Sequence, residues 1–165
     1  MKRWIFIILC FSQASCARND GNLVPIERTA IFPAAKAADL IRTVCYEPLA
    51  ATDYWTPNAT DIDGLEQTLA EFLDSRGANR KKDWSTFRRQ IAGVKRGDER
   101  LIFIYYFRFD QGIEDDLVKR KEPRYDPAGW RSEPHLVFDG GEEFFRVLYD
   151  VKTKRFIWYE CNGVA

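Results

Sequence analysis

The chain has 165 residues, with 25 Lys and Arg against 25 Asp and Glu, a formal net charge of zero, and 15% aromatic residues. Such a balance lacks the basic footprint that binds a phosphate backbone, so composition argues against nucleic acid as a partner. The length suits one domain that buries roughly two thirds of its unfolded surface.

The first residues read as an export leader. Lys2 and Arg3 precede an uninterrupted apolar run at 4–11 (WIFIILCF), and small residues follow at 12–17, which is the layout of a signal peptide. A membrane span needs about 20 apolar residues, so this run is expected to target the chain rather than to cross a bilayer. Three processing routes stay open. Cutting can follow Ala14 or Ala17, or Ala14-Ser15-Cys16 can act as the end of a lipobox, with Cys16 lipidated, although Gln13 stands where a large aliphatic residue is usual. The expected plan is a signal peptide at 1–17, a tether at 18–31 and a single α+β domain at 32–165. Its destination would be the periplasm, the outer membrane as a lipoprotein, or the exterior, with the membrane reached only through the lipid anchor. Loss of Lys2 and Arg3 leaves 23 basic against 25 acidic residues, a net charge of −2.

Lipidating Cys16, or cutting after Ala17, leaves Cys45 and Cys161 as the only pair, which an oxidising compartment is expected to join. Closing a loop of about 117 residues would contribute about 4–5 kcal/mol in the chain-entropy account. The alternative is two buried, unpaired thiols.

Within the mature chain, 18–31 mixes Asn, Asp, Gly and Pro with scattered aliphatics and reads as the tether. Pro33 then opens a first helix over 34–43, with Leu40 and Ile41 facing inward and Cys45 just past its end. A second helix is better marked. Thr60 can cap it, Asp63 completes a capping-box pattern and Asp61 suits the positive end of the dipole. Ile62, Leu65, Leu69, Phe72 and Leu73 form one apolar stripe, and Gly77 can close the helix in a left-handed cap. The basic cluster Arg76, Arg80, Lys81, Lys82, Arg88 and Arg89 reads as a solvated rim.

From Trp84 the period changes. Residues 88–95 and 101–109 (LIFIYYFRF) flank Gly97-Asp98 as a hairpin, and the second run is apolar enough for a central strand. Residues 110–134 form a long polar excursion, with Trp130 anchoring the return. A third strand is expected over 135–139, stopped by Gly140-Gly141, and a further hairpin joins 144–150 to 155–161. Two helices followed by about five strands predict an α+β fold, with N-terminal helices packed on one side of an antiparallel sheet of about four to five strands.

Signals for chemistry are sparse. His135 is the only histidine. In a strand, Asp139 would share its face and could orient the imidazole, with Glu142 and Glu143 nearby. No local nucleophile motif accompanies them, and no HExxH or CxxC spacing occurs. The acidic residues Asp110, Glu114, Asp115 and Asp116 miss the spacing of a known calcium loop and read as a solvated loop. No cofactor or metal is called for. The compositional excess is aromatic, concentrated in the expected strands. Most of these rings belong to the core, and any that emerge on an uncovered sheet face would make contact anchors, with Tyr106, Trp130, Trp158 and Tyr159 as the candidates.

Four stretches carry a resemblance: residues 54–57 (YWTP) leading into 61–66 (DIDGLE); 89–93 (RQIAG) with the following apolar strand; 139–141 (DGG) with Phe144-Phe145; and Tyr149-Asp150 through Asn162-Gly163. Through them the chain resembles a family of small exported bacterial proteins, many with lipoprotein-type leaders, that has no assigned activity. The resemblance implies export and an α+β fold, and brings no catalytic residues. Relatives often place a cysteine just before the Asp-Gly-Gly turn, where this chain has Phe138, so no family disulfide carries over to Cys161. The expected function is a non-enzymatic module that binds another envelope or secreted protein, as an inhibitor or antidote. The alternative is a small envelope hydrolase centred on His135 and Asp139, which requires a concave pocket joining them.

Overall fold

The computed structural model describes residues 24–62, 65, 68–78, 83–122 and 126–163. The expected leader, Cys16 and the start of the expected tether lie outside these residues, as do Asp63, Arg80, Lys81 and Lys82.

Two ten-residue strands make the middle of the sheet, buried on both faces along most of their length. These are β3 (Phe87–Arg96) and β4 (Glu99–Arg108), paired antiparallel along their whole length through the Gly97-Asp98 turn. The meander continues through β5 (Phe144–Asp150) and β6 (Arg155–Cys161), both with the bounds expected from the sequence, and a bulge interrupts β6 pairing at Leu148/Tyr149.

Two three-residue strands share the other edge of β3: β1 (Thr29–Ile31) parallel to it and β2 (Asp53–Trp55) antiparallel. The sheet is therefore mixed and six-stranded, where an antiparallel sheet was expected. Part of the expected tether is built into it, since Ile26–Arg28 forms a 3₁₀ turn and leads directly into β1. Trp55 lies flat over Gly93, where a Cβ would stand 2.4 Å from its carbonyl oxygen and 2.6 Å from its ring. Only glycine admits that approach. The indole N–H donates to the carbonyls of Val94 and Leu101, and Arg100 covers the outer ring face at 4.0 Å.

Helices cover both faces of the sheet, a correction to the one-sided packing expected. The helix α1 (Ala34–Val44) buries Ala37, Leu40, Ile41 and Val44 against Ala92, Val94, Leu101, Phe103 and Phe107. The opposite face takes α2 (Ala59–Ile62) and α3 (Leu69–Ser75), whose Ile62, Leu69 and Leu73 pack with Leu65 on Ile91, Ile102, Ile104, Phe145 and Val147. The capping box sits two residues earlier than expected. Asn58 accepts from the backbone N–H of Thr60 and Asp61, and Asp61 accepts in return from the N–H of Asn58. At the far end Ala78 donates to Leu73 and Gly77 to Asp74, the paired bonds of a Schellman cap.

Two further expectations are corrected. Residues 135–139 pair with no strand among the described residues; side chains of Gln90 and Asn162 take their backbone polar groups instead. The polar excursion holds a helix, α4 (Gln111–Lys119), capped by Asp110, whose carboxylate accepts from the N–H groups of Gly112 and Ile113. No helix among the described residues is long and apolar enough to cross a membrane.

Candidate binding surface

The segment 129–140 connects α4 to β5 across the α1 side of the sheet, and its backbone polar groups need partners that no regular element supplies. Side chains supply them. Gln90 on β3 is fully buried; its amide N–H₂ donates to the carbonyls of Trp130 (2.5 Å) and Glu133 (2.7 Å), and its carbonyl accepts from the N–H of His135 (3.0 Å). Asn162, just past β6, is also buried and donates to the carbonyls of Val137 (2.7 Å) and Asp139 (2.8 Å). The Tyr46 hydroxyl donates to the carbonyl of Phe138 (3.2 Å), and Lys36 on α1 donates to the carbonyl of Ser132 (2.9 Å). Gly140 ends the segment in a left-handed turn (φ 91°), and a Cβ there would strike the Phe144 ring at 2.4 Å.

Held this way, the segment alternates inward and outward. His135 turns in and stacks on Phe107 at 4.4 Å, while Leu136 and Phe138 turn out, Phe138 with 74% of its surface exposed. Half-exposed Tyr46 hydrogen-bonds to this stretch. Trp130 anchors the near end as expected, buried edge-on against Phe107. That burial removes it from the candidate contact residues. Tyr106 is likewise fully buried, stacked on Phe145 at 4.8 Å, because the face it was expected to present lies under α2 and α3. Trp158 and Tyr159 are partly buried and point to opposite faces. Sequence reasoning missed Phe138 and Leu136, since both were assigned to a paired strand.

A cleft of about 450 Å³ opens on the other side of His135, between α4 and the sheet. Phe107, Phe109, Ile113, Leu117 and Phe144 give it apolar walls. Arg88 crosses it to form a bidentate pair with Glu114 (Nη2–Oε2 2.8 Å) and lies over the Phe109 ring at 4.0 Å. Arg108 and Glu143 pair at the rim (2.5 Å). Burial first, then the Arg88 charge, hold the His135 pKa below its ordinary value of 6.5, so the ring is neutral at pH 7. Arg88 and Arg89 are thus not part of a solvated rim: Arg88 is paired in the cleft and Arg89 is buried, donating to Thr29.

The catalytic candidates separate. Asp139 is exposed and absent from the cleft, and Glu142 lies toward Tyr159 on the opposite face. His135 shares the cleft with Glu114 and Asp110 instead, and among the described residues no Ser, Thr, Cys or Lys lines it. The acidic residues have structural tasks: Asp110 caps α4, Glu114 holds Arg88, Asp115 accepts from Gln111 and Asp116 pairs with Arg120. Among the described residues no group of three or more His, Cys, Asp and Glu side chains is placed to hold a metal ion.

The expected Cys45–Cys161 bridge is not formed; both thiols are free. Cys45 packs on the α1 side of the sheet and Cys161, opposite Phe145, on the α2–α3 side. Side chains on opposite faces cannot meet disulfide geometry without moving backbone. Burial, then the nearby Glu160 carboxylate, push the Cys45 thiol up to about 12.

Comparison with protein-family models, with curated proteins and with solved structures gives no match to this chain.

Proposed function

We propose that this chain is an exported, non-enzymatic module that binds another protein, as an inhibitor or antidote, through the segment 132–140 with Phe138 as its anchor. One observation carries the reading: Leu136 and Phe138 are exposed on a backbone held by buried amides from β3 and from the end of β6. Ordering a loop before contact removes an entropy cost from binding, and an exposed aromatic side chain on rigid backbone is the usual form of an interface hot spot. The leader at 1–17 supports an extracytoplasmic partner.

The test is comparative capture from envelope extract with wild type, Phe138→Ala and a control altered at the distant Asp98. A specific partner should be held by wild type and control, with affinity falling at least about tenfold for Phe138→Ala. A partner held equally by all three would contradict the assignment.

The cleft beside His135 favours a second reading, a small hydrolase. It would work without Asp139, using Glu114 to orient the imidazole and water as nucleophile. Turnover of any ester or amide substrate, lost in His135→Gln and kept in Phe138→Ala, would support it over the binding reading.

A further inference from the structure

Arg146 on β5 is fully buried, and none of its three guanidinium nitrogens has a hydrogen-bond partner among the described residues. The nearest carboxylate oxygen belongs to Glu160, opposite it on β6, at 3.8 Å, beyond hydrogen-bond reach. Tyr46 and Tyr105 offer their rings, at 4.7 and 5.2 Å. Tyr105 is also fully buried, and its hydroxyl has no partner among the described residues. Five guanidinium N–H donors and, on the adjacent Tyr105, one O–H are thus buried without a hydrogen-bond acceptor among the described residues, an arrangement that is costly unless something fills it.

Tyr46 and Cys45 stand beside this cluster and also line a partly open cavity of about 270 Å³ whose other walls include Ile41, Leu49 and Tyr54 with Arg42 and Glu47; Arg146 and Tyr105 lie behind Tyr46, off these walls. We propose that Arg146 and Tyr105 form the head-group site for a small organic monocarboxylate whose apolar tail occupies this cavity, with Tyr46 as the gate. A carboxylate supplies two oxygens in the geometry a guanidinium fork matches. Tyr46 is suited to move: it is 51% exposed, and its hydroxyl makes one hydrogen bond among the described residues, at 3.2 Å to the Phe138 carbonyl. Glu160 reaches the surface with 18% of its side chain and turns toward solvent as the incoming carboxylate replaces it as counter-ion. The neighbouring Cys45 thiol stays protonated and adds no repulsion.

The experiment titrates sodium butyrate into the full chain at constant ionic strength, with butyramide and chloride as controls. Tm and the arginine side-chain N–H resonances are the readouts. Saturable stabilisation is expected with butyrate alone. Glu160→Gln should tighten binding about tenfold by removing a like charge, and Tyr105→Phe, which retains the ring, should weaken it about fivefold. No saturable response in either wild type or the gate variant Tyr46→Ala overturns the proposal. So does an equal response to butyramide or chloride, or weaker binding by Glu160→Gln.

Discussion

The two faces of the sheet are closed by different physics. On one, α2, α3 and the residues around them lay an apolar surface on Ile91, Ile104, Phe145 and Val147, and a stacked and edge-on aromatic group fills the centre. Helices satisfy their own backbones, so this face needs mainly apolar contact, with the buried Arg89–Thr29 pair as a polar exception within the sheet itself. On the other, α1 covers part of the sheet and an irregular segment covers the rest. That segment cannot satisfy its own backbone, and the fold places Gln90, Asn162 and Tyr46 where its polar groups lie. Buried amides that hold another segment's backbone mark the covering that also displays something outward.

The contrast is open to mutation. The largest effect is expected on the sealed face. Phe145→Ala removes a fully buried ring surrounded by Trp84, Phe87, Tyr106 and Tyr159, and should cost about 3–5 kcal/mol in denaturant unfolding, lowering protection throughout the sheet. Gln90→Leu should cost less, about 2–4 kcal/mol, because three backbone groups lose a buried partner. Its effect on hydrogen exchange should be local, confined to 129–140. Equal and global loss of protection in both variants would erase the distinction.

The smallest effect concerns pH. The His135 pKa is lowered in the folded state, so the unfolded chain binds its proton first, and stability falls as pH drops below about 6.5 until the native ring titrates too. The slope is at most one proton, about 1.4 kcal/mol per pH unit. Asp53 and Asp150, also lowered, act only as pH approaches their ordinary value of 3.8. His135→Gln should therefore flatten the stability profile between pH 7 and 5. An unchanged slope would mean that the ring is not held neutral against Phe107.

Much of the fold was legible because it rests on periodic patterns. Continuous apolar runs identified β4 and its neighbours; the stripe through Ile62, Leu69 and Leu73 identified the buried face, although two helices, α2 and α3, carry it where one continuous helix was expected. Strand β1 was missed because three residues carry no period and its partner lies 60 positions away. Helix α4 was missed because its sequence is mostly polar; Asp110 as a cap was the available signal. Residues 135–139 alternate like a strand, and local pattern could not reveal that side chains of Gln90 and Asn162, rather than a neighbouring strand, take their backbone groups. The same error hid Phe138 and Leu136. Gln90 and Asn162 carry no motif, since their task is defined only by which backbone groups the fold brings to them.

The central claim is that the segment displaying Phe138 is ordered before any partner arrives. Backbone ¹⁵N relaxation of the free protein tests it most directly. Order parameters for residues 134–139 should match those of β3 and β4, about 0.85, and drop in Gln90→Leu. Values below about 0.6 in the wild-type protein would contradict it.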